Sequence, residues 1–115
     1  MAINEKNLGP DHPSVALVLN SLALLYHTQG KYDEAEFLYK RALATRKKVL
    51  GAEHPSTAST INNLAGLYES QGKYKEAEPL YKSALAICEK VLGSDHPSTV
   101  TVRKNLSRLL NTSKP

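Results

Sequence analysis

Gly9, His12, Pro13 and Ser14 return 42 residues later as Gly51, His54, Pro55 and Ser56, and once more as Gly93, His96, Pro97 and Ser98. Residues 9–50 and 51–92 are identical at 26 of 42 positions. A period of this length means that each copy is one supersecondary unit, too small to bury its apolar face alone and therefore stacked on its neighbours. Stacked arrays expose long continuous surfaces, which points to binding rather than to catalysis.

Within the first full period, Leu19, Leu22, Ala23, Leu25 and Tyr26 follow the i, i+3, i+4, i+7 spacing of an amphipathic helix. The spacing predicts a helix over about 13–28. Pro13 suits its first position, where a missing N–H costs nothing, and Pro also holds His12 extended. Asp11 and Ser14 add capping chemistry nearby, and Gln29-Gly30 ends the helix. A second helix, over about 32–50, opens on Asp33, Glu34 and Glu36, where the helix dipole favours acids. It carries Ala35, Leu38, Tyr39, Ala42, Leu43, Val49 and Leu50 as its apolar side. Ala23, Ala35 and Ala42 leave room for close approach, and Tyr26 and Tyr39 fill the space between, so the unit reads as a helical hairpin.

The second copy repeats the pattern with Leu64, Ala65, Leu67 and Tyr68, then Ala77, Leu80, Tyr81, Ala84 and Leu85. Pro79 lies close enough to its helix start that at most a slight bend is expected. The third copy holds a first helix only, over about 97–111, with Val100, Leu106, Leu109 and Leu110. The divisions are therefore residues 1–8 as the tail of a preceding second helix, repeats at 9–50 and 51–92, a truncated repeat at 93–111 and a disordered tail at 112–115. The sequence reads as a window on a longer array.

The chain has 15 Lys+Arg against 11 Asp+Glu, a formal charge of +4. Its cations are mostly interleaved with acids, as in Lys31-Tyr32-Asp33-Glu34, and Arg46-Lys47-Lys48 sits where cations complement a helix C-terminus. Phosphate recognition needs a clustered basic stripe, so no nucleic-acid partner is expected. No apolar run approaches about 18 residues and no charged-then-apolar leader opens the chain, so no membrane partner is expected and a cytoplasmic location is the default. A lone cysteine, Cys88, forms no internal disulfide and reads as a surface or half-buried structural thiol.

The spacing Leu22-Ala23-x-x-Tyr26, Ala35, Tyr39, Ala42, repeated at Leu64-Ala65, Tyr68, Ala77, Tyr81 and Ala84, resembles the tetratricopeptide repeat. The 42-residue period, with Leu-Gly-x-x-His-Pro-Ser and Tyr-Lys-Glu-Ala-Glu-Pro-Leu, is similar to the kinesin light chain subgroup. Leu19, Ile61 and Arg103 stand where the family consensus has Trp, and Arg103 is not expected in a core. The resemblance implies an all-α fold, a right-handed superhelical α-solenoid of antiparallel helix hairpins with about two and a half repeats. It also implies a non-catalytic protein-interaction scaffold that holds a peptide segment of a partner in a concave groove lined by the first helix of each unit. The residues of those helices not spent on the core are Leu17, Asn20, Ser21 and Leu24, then Ser59, Asn62, Asn63 and Gly66, then Thr101, Lys104, Asn105 and Arg108.

Among these, Asn62 and Asn63 are the leading candidates, because an amide donates and accepts and so can pair with peptide main chain. Bonds within the array would use the same atoms. Lys104 and Arg108, one turn apart, could meet an acidic side chain or a C-terminal carboxylate, but the first copy offers no cation in that row. His12, His54 and His96 occupy equivalent places on successive units and cannot converge on one metal, so a structural task before proline is expected. No phosphate loop, carboxylate pair or activated nucleophile is legible, hence no enzyme and no cofactor. The alternative function is self-assembly through apolar residues near the incomplete units, namely Ile3, Leu8, Val102, Leu106 and Leu109.

Overall fold

A computed structural model describes residues 13–112, with side chains from Val15 onward. Expectations for residues 1–8, for Asp11, His12 and the Ser14 side chain, and for residues 113–115 lie outside the described residues. Five helices follow one another: α1 (Pro13–Thr28), α2 (Tyr32–Val49), α3 (Pro55–Ser70), α4 (Tyr74–Leu92) and α5 (Pro97–Thr112), with no strand among the described residues. Helices α1 and α2 form one hairpin and α3 and α4 the next, while α2 packs on α3 and α4 on α5. The result is an all-α solenoid of about 2.5 repeats, 48 × 32 × 19 Å in extent.

Local chemistry sets the helix ends. His54 is the N-cap of α3, its Nδ1 accepting the Ser56 backbone N–H at 3.0 Å, and His96 Nδ1 accepts the Ser98 N–H at 3.1 Å. Proline supplies the pre-set φ of the first turn and the preceding histidine satisfies one of its orphan N–H groups. The His-Pro-Ser signature is thus a helix cap, with the imidazole itself as the acceptor. At the other end of the first helices, Gly30 and Gly72 take φ of +80° and +78°. That left-handed turn lets the Lys31 N–H reach Tyr26 O at 2.9 Å and the Lys73 N–H reach Tyr68 O at 2.8 Å, closing orphan carbonyls. Pro79 leaves α4 unbroken.

The core is a row of like contacts between units. Ala23, Ala35 and Tyr39 pack with Leu64 and Leu67 of the following helix, and Ala65, Ala77 and Tyr81 pack with Leu109 of the one after. Every alanine in that row is fully buried, which is what lets the helices close on the two tyrosines.

Five sequence expectations are corrected. Val102 and Leu109, expected to offer an open apolar end for self-assembly, are buried in the core. Leu25, expected in the core, is 50% exposed, whereas its counterparts Leu67 and Leu109 are 0% exposed. Those two pack beside Tyr39 and Tyr81 of a preceding second helix, and no described helix precedes α1. Val49 is exposed at the end of α2. Arg46, expected only to complement a helix C-terminus, does lie in the last turn of α2 but is also buried, and donates to Ser56 O at 3.0 Å and Thr60 Oγ1 at 2.8 Å. Burial lowers its pKa. Cys88 occupies the equivalent place one unit later and is buried in an apolar cluster with Ala58, Ile61 and Val102. Burial raises its thiol pKa, so it stays protonated and unreactive.

Candidate functional site

Side chains of the three first helices meet across the repeats on one face. Asn63 Nδ2 donates to Asn20 Oδ1 at 3.2 Å, and Asn105 Nδ2 donates to Asn62 Oδ1 at 3.0 Å. The two contacts are 42 residues apart on both sides, so the repeat makes the same rung twice. Each amide carries two donor hydrogens and two acceptor lone pairs, and one rung uses a single site on each partner. The rungs hold the asparagines in place and leave them capacity to bind something else.

Beside the rungs lies a cavity of about 510 Å³ lined by Asn62, Asn63, Gly66 and Asn105, with Leu24 and Arg108 at its ends. Ser59 and Thr101 line a second, smaller hollow of about 290 Å³ with Pro55 and Pro97. Leu17, Ser21 and Lys104 are exposed, Leu17 at 57%. The larger cavity also contains residues outside the sequence-derived set: His27, Tyr39, Glu69, Ser70, Tyr74 and Tyr81. Tyr39 and Tyr81 fill the core as expected and also border the cavity. His27 and Glu69 hold the same position in successive copies. Eight of the sixteen positions differ between residues 13–28 and 55–70, so unlikeness alone does not single them out.

Glu69 organises the end of the cavity near α5. It receives Arg108 Nε at 3.1 Å and Nη2 at 2.7 Å, a two-pronged pair, and the Tyr81 hydroxyl at 2.8 Å. Arg108 also donates to Asn105 Oδ1 at 3.1 Å. The Arg108 guanidinium holds the Glu69 carboxyl below its usual range against the opposing effect of burial, and the Tyr81 hydrogen bond adds to it. Burial, then the neighbouring carboxylate, pushes the Tyr81 phenol upward. Arg108 is therefore committed to Glu69, which leaves it a poor half of a carboxylate clamp with Lys104.

One unit earlier the same places hold other chemistry. His27 Nε2 pairs with Ser70 Oγ at 2.8 Å, and partial burial lowers its pKa, so the ring is neutral at pH 7. Tyr39 is fully buried, its hydroxyl has no hydrogen-bond partner, and burial pushes it up to about 12.

Glu36 makes a second coupled carboxylate, on α2, with Lys40 at 2.8 Å and the Tyr68 hydroxyl at 3.0 Å. The Lys40 bond holds it below its usual range, against burial and with help from Tyr68. For Glu36 and Glu69 alike the folded value lies below the unfolded one. Their contribution is thus full above the unfolded carboxylate range and is lost as pH falls through the folded values. The melting temperature should begin to decline below about pH 6.5, where His27 with its lowered pKa takes a proton, and fall further below about pH 4.5, and Glu69→Gln should shrink that second fall. An acid limb unchanged in the Glu69→Gln protein would contradict the coupling.

Among the described residues no three His, Cys, Asp or Glu side chains are grouped to hold a metal, and no helix is long and apolar enough to cross a membrane.

A tetratricopeptide repeat family model matches residues 15–56 and 57–98, two units of 42 residues framed six positions later than the Gly-to-Leu period. The structure is similar to that of BtubC (BKLC) from P. vanneervenii, with a TM-score of 0.80 and 27% identity over 88% of this chain and 40% of that one. It is also similar to two crystal structures, one of them of a point variant, of a kinesin light chain-like protein of Podosopora anserina with nearly identical TPR-like repeats. These have TM-scores of 0.77 and 0.75, with 34% identity over 96% of this chain and 52% of that one. The chain thus spans about half the length, or less, of these neighbours. No curated protein sequence matches it. With these neighbours the solenoid is a right-handed superhelix of antiparallel hairpins.

Proposed function

The chain belongs to the tetratricopeptide repeat family, whose repeats are generally non-catalytic protein-interaction scaffolds, and from that premise we propose that it holds an extended peptide segment of a partner protein in the groove of α1, α3 and α5. The observation that carries this reading is the pair of asparagine rungs along the cavity. A peptide backbone presents alternating N–H and C=O groups, and amides fixed at repeat spacing supply both complements. Fixing them beforehand lowers the entropy cost of binding.

The test begins with peptides selected from a displayed random library on the intact chain. Asn62→Ala with Asn63→Ala should weaken a selected peptide about tenfold or more, two neutral hydrogen bonds being worth roughly 1–3 kcal/mol. Unchanged affinity for every selected peptide would remove the groove assignment.

A second reading, self-association through the open face of α1, is favoured by one observation: Leu25 is half exposed where Leu67 and Leu109 are sealed. It requires sedimentation to show mass rising with concentration, and Leu25→Lys to abolish the rise. A strict monomer at high concentration would exclude it.

A further inference from the structure

The two unit junctions of the groove differ in one respect. Between α3 and α5, the Tyr81 hydroxyl donates to Glu69 and the Arg108 side chain closes over them. Between α1 and α3 the equivalent of Tyr81 is Tyr39, that of Glu69 is His27 and that of Arg108 is Gly66. Glycine leaves the place of the arginine side chain empty, His27 is turned to Ser70, and the buried Tyr39 hydroxyl is left without a partner on the wall of the cavity. An unpartnered buried hydroxyl is costly, and at the second junction the same sequence position is satisfied.

We propose that the hollow over Gly66 is a subsite of the groove for a neutral carboxamide, an asparagine or glutamine side chain of the bound segment, which hydrogen-bonds the Tyr39 hydroxyl. The subsite rests on the groove reading above. A cationic side chain has no carboxylate to meet there, because Glu69 is already taken by Arg108 and Tyr81. An anionic one has no spare cation, since Arg108 is committed to Glu69 and Asn105. What remains is a neutral group with both a donor and an acceptor, able to serve Tyr39 and the Asn62 and Asn63 amides together. Tyr39 has no exposed surface although it borders the cavity, so the wall over Gly66 opens slightly for an inserted side chain, which the peptide main chain passing above does not achieve.

The experiment uses the same displayed random library, sorted on the full chain and then on its Tyr39→Phe and Gly66→Arg variants, with melting temperatures measured in parallel. The expected peptides share one Asn or Gln, bind Tyr39→Phe about five- to tenfold more weakly and lose Gly66→Arg altogether. Tyr39→Phe should melt no lower than the parent, while Tyr81→Phe, which breaks a bond to Glu69, should melt lower. Peptides weakened by the Asn62 and Asn63 replacements but carrying Asp, Glu, Lys or Arg in place of the amide would overturn the subsite and leave the groove standing. So would indifference to Tyr39→Phe, or a fall in its melting temperature equal to that of Tyr81→Phe, since the hydroxyl would then serve the fold. A library yielding no peptide that responds to the groove asparagines would overturn both readings.

Discussion

Leu67→Ala is expected to lower the unfolding free energy by about 3 kcal/mol, and Leu25→Ala by less than about 1 kcal/mol, although the two residues are one repeat apart in the same helical position. Leu67 is sealed among Ala23, Ala35, Tyr39 and Leu64, so truncation removes its transfer energy and leaves a cavity that packed neighbours cannot fill. Leu25 is already half in water, so less is lost and no cavity forms. Denaturant titration of the two variants measures the difference directly. In an array with nearest-neighbour coupling the Leu67 change also weakens the joint between the two hairpins, and the denaturant slope should fall if one hairpin then unfolds first. Equal losses at both positions would mean that Leu25 is covered in solution.

The second large effect sets two glycines of α3 and its end against each other. Gly72→Ala should cost about 1–2 kcal/mol, because φ of +78° places a Cβ against the following carbonyl even though space around it is open. Gly66→Ala should stabilise by up to about 1 kcal/mol, since Gly66 lies inside α3, where alanine is the better helix former. Its added Cβ would sit 3.5 Å from the Tyr81 hydroxyl, an ordinary contact. A helix-interior glycine that could be alanine at no steric cost is a concession of stability. It keeps the hollow over Gly66 open. Thermal melts of both variants, with opposite signs expected, check the pair.

Much of the fold is legible from the repeat alone. Pro55 and Pro97 start their helices where the spacing places them, Gly30 and Gly72 end the preceding turns, and the alanines of the consensus are all sealed between helices. What periodicity does not show is how a position fares where no described helix precedes it. Leu25 has the same helical phase as Leu67, and only the neighbouring unit distinguishes them. Arg46 departs from expectation for a related reason: a helix-end cation has a ready explanation in the dipole, and nothing local reveals that Ser56 and Thr60 of the next unit enclose it. In the groove, the asparagines stand out by residue type. The Glu69, Arg108 and Tyr81 cluster does not, because its members come from three helices and two of them differ from copy to copy. The asparagine rungs recur with the repeat, whereas the Glu69 cluster falls where the repeat is broken, and such positions carry the least periodic signal.

The central claim is that the face carrying the asparagine rungs is where a partner segment lies. Amide chemical-shift mapping of the full chain, titrated with a peptide selected from the displayed library, tests it most directly. The shifts are expected to concentrate on Asn62, Asn63, Gly66 and Asn105, with the side-chain amides of the rungs among the largest. Shifts confined to the outer faces of α2 and α4, with those four residues unmoved, would contradict it.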